Sequence, residues 1–295
     1  MSTDTRVFQS TSPRGLDYDH FALRLWTKAK KFGIWDPQSI DFTKDREDWQ
    51  SFTDLQRESL LHLSSMFLGG EESVTLDLLP LIGVIASEGR LEEEMYLTTF
   101  LWEEAKHVEA FRRFFDEIAG EHTDLSRFHG PFYHMIFHEQ LPAAMNRLRT
   151  DPSPIAQAEA SVTYNMIVEG VLAETGYYTY YAMLEEKDMM PGMREVVGKL
   201  KQDESRHMAY GVYLLSRLVA EHGDEVWEAI EARMNALLPL ALGMINETFD
   251  RYGGSMPFGL ELEPFIGYAT SQFQKRYERI HKARTQSVED VISEE

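Results

Sequence analysis

Apolar residues recur at spacings of three and four along nearly the whole chain, and strict alternation is scarce. That pattern predicts helix almost throughout. Helices are predicted over roughly 17–32, 53–87, 90–119, 129–149, 153–186, 191–221, 224–252 and 258–284. Breakers separate them: Gly33 and Pro37, Gly89, Gly120, the stretch from Thr150 to Pro154, Pro191 with Gly192, Gly223, and Gly253 with Gly254. Several of these helices are long and their joints are short, which predicts an antiparallel bundle. No linker divides the chain, so a single domain is expected over 1–284. Residues 285–295, ending SVEDVISEE, form a polar, acidic tail that is expected to be loose.

Four of the predicted helices break their own pattern. The stripe of the first runs Ser64, Leu68, Glu71, Thr75, Leu78, Ile82. The next runs Leu97, Leu101, Glu104, Val108, Phe111, Phe115. A third runs Val162, Asn165, Glu169, Leu172, Gly176, and a fourth Val196, Leu200, Glu204 with His207, Gly211, Leu214. Each carries a carboxylate near its middle, on the side that should face the core. A buried ionised carboxylate is strongly disfavoured unless it is paired or binds a cation. No Lys or Arg lies on these stripes near the carboxylates, so metal ions are the natural compensation.

Spacing supports that reading. Residues three apart share a helix face, so Glu104 with His107, and Glu204 with His207, can each reach one ion from one helix. Glu71 precedes Glu104 by 33 residues and Glu169 precedes Glu204 by 35. The chain therefore reads as two similar halves, each giving one Glu and one Glu-x-x-His. This is the arrangement of ferritin-like di-iron and di-manganese bundles. A third Glu-x-x-His, Glu278 and His281 in KRYERIHKAR, has no partner Glu and is expected on a solvated face. Glu72 and Glu103 sit about 100° round the wheel from a ligand and are expected to be solvated or to support a ligand from behind. Glu174 could be either. His62, His122, His129, His134 and His138 have no matched partner and are expected at the surface or the edge of the core.

Composition narrows the classes further. The 295 residues carry a formal net charge of −20, which disfavours nucleic acid as a partner. There is no cysteine, so disulfides, zinc–thiolate sites, iron–sulfur clusters and thiol nucleophiles are excluded. The N-terminal MSTDTRVFQSTSPRG has no apolar signal region, and the longest apolar run, LLPLIGVIA, is too short to span a bilayer. A soluble cytoplasmic protein is expected.

With these motifs, the chain resembles the ribonucleotide reductase small-subunit superfamily over most of its length. IWDPQSIDFTKDREDW is similar to the segment before its first core helix. The nearer resemblance is to the ligand-binding oxidases related to that subunit, which hold a manganese/iron pair. The first ligand position is Glu71, as in the oxidases, where the reductase subunit has Asp. Phe111 stands where the reductase subunit has its radical Tyr, four residues after His107, and no Tyr follows Thr285 in the tail.

The resemblance implies an all-α protein, a ferritin-like four-helix bundle core with additional helices. It implies manganese at Glu71, Glu104 and His107 and iron at Glu169, Glu204 and His207, with a di-iron pair as the alternative filling. It further implies dioxygen activation, a two-electron oxidation joining Val74 to Tyr164 through an ether bond, and a homodimer. A bound long-chain fatty acid or similar hydrophobic ligand is also implied. Asp203 and Trp35 match the hydrogen-bonded chain behind a metal-bound His. On an ideal α-helical wheel Tyr164 is about 140° from Glu169, so the residues alone suggest a packed core tyrosine. Met- and aromatic-rich stripes read equally well as plain core or as a lipid tunnel. Rival readings are a reductase small subunit with a metal-based oxidant and no radical Tyr, and a non-catalytic protein for iron storage or lipid binding.

Overall fold

The computed structural model describes residues 8–185 and 187–293. Helices follow one another as α1 (Phe21–Phe32), α2 (Thr43–Ser51), α3 (Asp54–Asp77), α4 (Leu79–Ser87) and α5 (Leu91–Arg113). The last of these widens into a π-helical end, Phe114–Ala119. Next comes α6, built of Pro131–Tyr133, a π-helical His134–Gln140 and Leu141–Arg147. Then α7 joins Pro154–Ser161, a π-helical Val162–Ala173 and Glu174–Leu184. α8 (Pro191–His222), α9 (Asp224–Asp250), α10 (Leu262–Lys282) and α11 (Val288–Ser293) complete the chain. The expected all-α, ferritin-like architecture is present: α3 packs on α5, α7 on α8 and α5 on α8, with the other helices around them.

Local chemistry explains most of the boundaries. α3 opens with a reciprocal capping box between Thr53 and Gln56. α5 carries Glu92, Glu93 and Glu94 in its first turn and Arg112 and Arg113 in its last, each matched to the helix dipole. The helix expected over 53–87 divides after Asp77. Pro80 has no N–H to give and its ring crowds the preceding turn, so α4 starts afresh.

Three features depart from expectation. α2 and a two-residue antiparallel hairpin, Ser255–Met256 with Leu260–Glu261, are additions. The tail expected to be loose forms α11 instead and buries Val291, with α11 packed on α8. Its last two residues lie outside the described part, as do residues 1–7 and position 186, the expected end of α7. Among the described residues no helix is long and apolar enough to cross a membrane.

Two contacts fix the core helices where the site needs them. Buried Asp45 of α2 accepts from the backbone N–H of Gly192 at 2.9 Å and Met193 at 2.7 Å, capping the start of α8. Further along α8, a Cβ at Gly211 would fall 2.3 Å from Cβ of Asn165. Only glycine lets α7 and α8 close to that separation, and Asn165 is one of the residues that positions the candidate site.

Candidate metal centre

The four acidic stripes meet in the middle of the bundle. Glu71 comes from α3, Glu104 and His107 from α5, Glu169 from the π-helical part of α7, and Glu204 and His207 from α8. All six are buried. Donor atoms of Glu71, Glu104, His107 and Glu204 lie within 4.8 Å of one another, as do those of Glu104, Glu169, Glu204 and His207. The two groups overlap: Glu104 and Glu204 belong to both. The sequence alone assigned each of them to one half.

Each imidazole points one nitrogen inward and one outward. Nδ1 of His107 faces Glu71, Glu104 and Glu204, each at 3.4 Å. Nδ1 of His207 faces Glu104 at 3.3 Å, Glu204 at 3.6 Å and Glu169 at 3.8 Å. Neither Nδ1 has a hydrogen-bond partner, and the same is true of Glu104 Oε2, Glu169 Oε1 and Glu204 Oε2. Buried polar atoms are almost always satisfied. Five orphaned ligand atoms converging on one space fit cations of the size that carboxylate and imidazole prefer, such as iron and manganese.

Electrostatics point the same way. Among the described residues no Lys or Arg forms an ion pair with Glu71, Glu104, Glu169 or Glu204. Burial pushes Glu71 up to about 8. Burial and the charge of Glu204 hold Glu169 well above the carboxylate range. Burial also works against charge on both imidazoles, yet the surrounding carboxylates hold them well above the usual histidine range. Positive charge is therefore favoured at this cluster. Metal ions can supply it, because carboxylate and imidazole ligands bind deprotonated.

A second layer holds the imidazoles, and it crosses between the halves. Nε2 of His107, on α5, faces Asp203 of α8 at 3.4 Å. Nε2 of His207, on α8, faces Glu103 of α5 at 2.9 Å. Asp203 also accepts from Trp35 Nε1 at 2.7 Å and Lys106 Nζ at 3.1 Å. Arg206 donates to Glu103 at 2.6 Å and to Asp203 at 2.5 Å. Burial raises Asp203, but bonds from His107, the Lys106 charge and Trp35 outweigh it and keep the carboxylate ionised.

Glu103, Lys106 and Arg206 are the residues that sequence reasoning missed or left open. A signal was present. Glu103-Glu104-Ala105-Lys106-His107 and Asp203-Glu204-Ser205-Arg206-His207 repeat one pentad: acid, Glu, small residue, base, His. Of the other candidates, Glu72 is exposed, and so are Glu278 and His281 of the third Glu-x-x-His. Glu174 is buried and accepts from Tyr268 at 2.8 Å. His122, His134 and His138 are exposed, while His62 is buried.

Val74 and Tyr164 meet beside the cluster. The Tyr164 hydroxyl is 3.0 Å from the Val74 carbonyl and 3.3 Å from Glu104 Oε1. The α-helical wheel put Tyr164 on the wrong side because α7 is π-helical there. A π-turn bonds residue i to i+5, so Tyr164 and Glu169, five apart, lie on one side. An apolar cavity reaches the cluster from α3, α7, α9 and α10. Its lining includes Phe67, Val74, Leu172 and Phe265 and ends on Glu71, Glu169 and Glu204. It measures about 90 Å³, several times the space one water needs.

Comparison with known proteins adds names to this geometry. The family model for the ribonucleotide reductase small chain matches residues 17–276. An R2-like ligand-binding oxidase from Sulfolobus acidocaldarius is 38% identical, with a TM-score of 0.89, covering 97% of this chain and 98% of that one. A single-residue variant of R2-like ligand-binding oxidase, with anaerobically reconstituted Mn/Fe cofactor, is also 38% identical, with a TM-score of 0.87. That match covers 95% of this chain and 99% of the other.

Proposed function

Because the chain belongs to the ribonucleotide reductase small-chain family, among the R2-like ligand-binding oxidases, we propose that it is a dioxygen-activating manganese/iron oxidase serving a hydrophobic ligand. Membership makes it an oxidoreductase with a dinuclear metal site. The observation that carries the fuller reading is the convergence of orphaned imidazole and carboxylate atoms at the end of an apolar cavity.

Manganese is assigned to Glu71, Glu104 and His107, and iron to Glu169, Glu204 and His207. Glu104 and Glu204 lie within reach of both positions. A bound pair of this kind supplies dioxygen activation and a two-electron oxidation. The protein's own residues set where that oxidation falls. Asn165 donates to Glu169 at 2.9 Å and fixes its orientation. Glu104, 3.3 Å from the Tyr164 hydroxyl, is placed to take the phenol proton. An ether bond from Val74 Cβ to the Tyr164 oxygen would form as one C–H and one O–H bond break. The two electrons and two protons pass to dioxygen. Burial and the neighbouring carboxylates hold the Tyr164 phenol protonated until then. The cavity's apolar walls suit the alkyl tail of a long-chain fatty acid or similar molecule, with its head group at the carboxylate cluster.

Oxygen-dependent crosslinking is tested by loading metal-free protein with manganese and iron, in air and without oxygen, and mapping peptides by mass. The expected product joins the Val74 and Tyr164 peptides, lighter by two hydrogens, in air only. Full metal loading without that product would refute the crosslink. A reductase small subunit is the second reading. The Trp35–Asp203–His107 chain favours it, and Phe111, buried and stacked on Phe67 at 4.8 Å, opposes it. A homodimer in the cytoplasm completes the proposal. Solution scattering with twice the monomer mass supports that assembly, whereas a cage would favour iron storage.

A further inference from the structure

A second buried polar cluster lies between α5 and α8, away from the metal ligands. Glu93 is fully buried and accepts from two phenols, Tyr210 at 3.0 Å and Tyr213 at 3.3 Å. Buried Arg217 stands 3.3 Å from the same carboxylate, and Arg90 stands 3.8 Å from it. Both cations lie against the carboxylate that the two phenols donate to. The cluster is tied to the metal centre by an unbroken run of rings. Phe100 stacks on His207 at 3.7 Å. Tyr96 follows at 6.1 Å, Tyr210 at 5.2 Å, Tyr213 at 6.0 Å and Phe21 at 5.1 Å.

The run ends in a groove. Phe21 and Tyr213 line a space of about 470 Å³ between α1, α8 and α10, whose wall includes Lys275 and Arg276. Among the described residues Arg276 donates to Gln272 and to the sulfur of Met208, and it feels the charges of Glu174 and Glu169. Neither Arg276 nor Lys275 forms an ion pair among the described residues. On a chain of net charge −20, a groove walled by Lys275 and Arg276, neither of them ion-paired there, favours an anion.

We propose that this run of rings is an electron-entry route, and that a small anionic one-electron donor docks at its mouth. The proposal rests on the oxidase reading. Reduction of dioxygen to water takes four electrons. A two-electron oxidation of substrate supplies two, so repeated turnover needs two from outside. In each hop Tyr210 or Tyr213 gives an electron toward the metal centre and its phenol proton to Glu93. The donor's electron, with the same proton returned from Glu93, restores the phenol. The donor is oxidised, the metal centre is reduced, and the residues are unchanged. The Tyr96 hydroxyl has no partner to take its proton, so Tyr96 and Phe100 bridge the gap and Tyr210 is the inner station.

The test uses manganese/iron-loaded protein oxidised in air, then mixed without oxygen with ascorbate as the anionic donor. Decay of the metal-centre absorption gives the re-reduction rate. Tyr210→Phe and Tyr213→Phe are expected to slow it roughly tenfold or more. Lys275→Glu should weaken the dependence on ascorbate and leave reduction by neutral hydroquinone unchanged. Because each hop moves a phenol proton to Glu93, re-reduction of the wild type is expected to slow in deuterium oxide, and Tyr210→Phe to lose that dependence. Unchanged rates in both Phe variants, with melting as in the wild type, would overturn the route. Slowing by Trp35→Phe alone would do the same by placing entry at Asp203. Wild-type protein that never develops the oxidised absorption in air would overturn the oxidase reading and the route with it.

Discussion

His107 and His207 present the same Nδ1 to the same carboxylate cluster, yet their outward nitrogens enter different surroundings. Behind His107, Asp203 collects Trp35, Lys106 and Arg206, and the partly exposed Trp35 ring stacks on the imidazole at 6.3 Å. Behind His207, Glu103 collects Arg206, and Phe100 seals the ring at 3.7 Å. The terminal carboxylates differ as well. Glu169 is held by Asn165, whereas Glu71 faces His107 and the apolar cavity. The donor sets of the two halves are the same, one Glu and one Glu-x-x-His each. Affinity for a carboxylate–imidazole set favours iron over manganese at both. Any preference of one half for manganese must therefore come from what surrounds the ligands, and that is where the halves differ.

Removing a shared ligand should break the comparison outright. Glu204→Gln is expected to empty both positions, and Glu71→Gln only the one beside His107. Metal content after loading and desalting reads this directly, and equal losses in the two variants would contradict the sharing. The next effect is smaller and tests the crossing of the second layer. Asp203→Asn should weaken the ion beside His107, and Glu103→Gln the ion beside His207, each by roughly 10–100-fold. Separate titrations with manganese and iron would show whether each variant acts on the opposite half.

A third buried imidazole sharpens the contrast at the smallest scale. Among the described residues no carboxylate pairs with His62, which faces the Tyr252 hydroxyl at 3.3 Å and the Phe128 ring at 5.5 Å. Burial, with help from Arg251, pushes it down to about 4. The folded state then refuses a proton that the unfolded chain takes near pH 6.5. Its contribution to stability is full above that pH and falls as the pH drops toward 4. Between pH 7 and pH 5 the loss amounts to about 2 kcal/mol. Denaturant titrations of wild type and His62→Leu should differ in pH slope by that amount over this interval, with no difference above pH 7.

The gathering of the six cluster residues was legible because each sits on an α-helical stripe that it interrupts. A carboxylate where Leu should be is conspicuous at period 3.6. Tyr164 was hidden by the same assumption, since the π-helical turn of α7 changes which residues share a side. Sharing of Glu104 and Glu204 was not readable either, because it depends on how closely α5 and α8 approach. The second layer was half visible: the pentad repeats, but its crossing between halves is a property of packing. The tail looked loose because it is acidic, yet Val291, with Ile292 packed beside it, docks it on α8.

Anomalous diffraction at the manganese and iron edges, from crystals of protein loaded with both metals, tests the central claim most directly. The account predicts two peaks in the cluster, manganese beside His107 and Glu71 and iron beside His207 and Glu169, with Glu104 and Glu204 reaching both. A single peak, or metal bound away from these six residues, would contradict it.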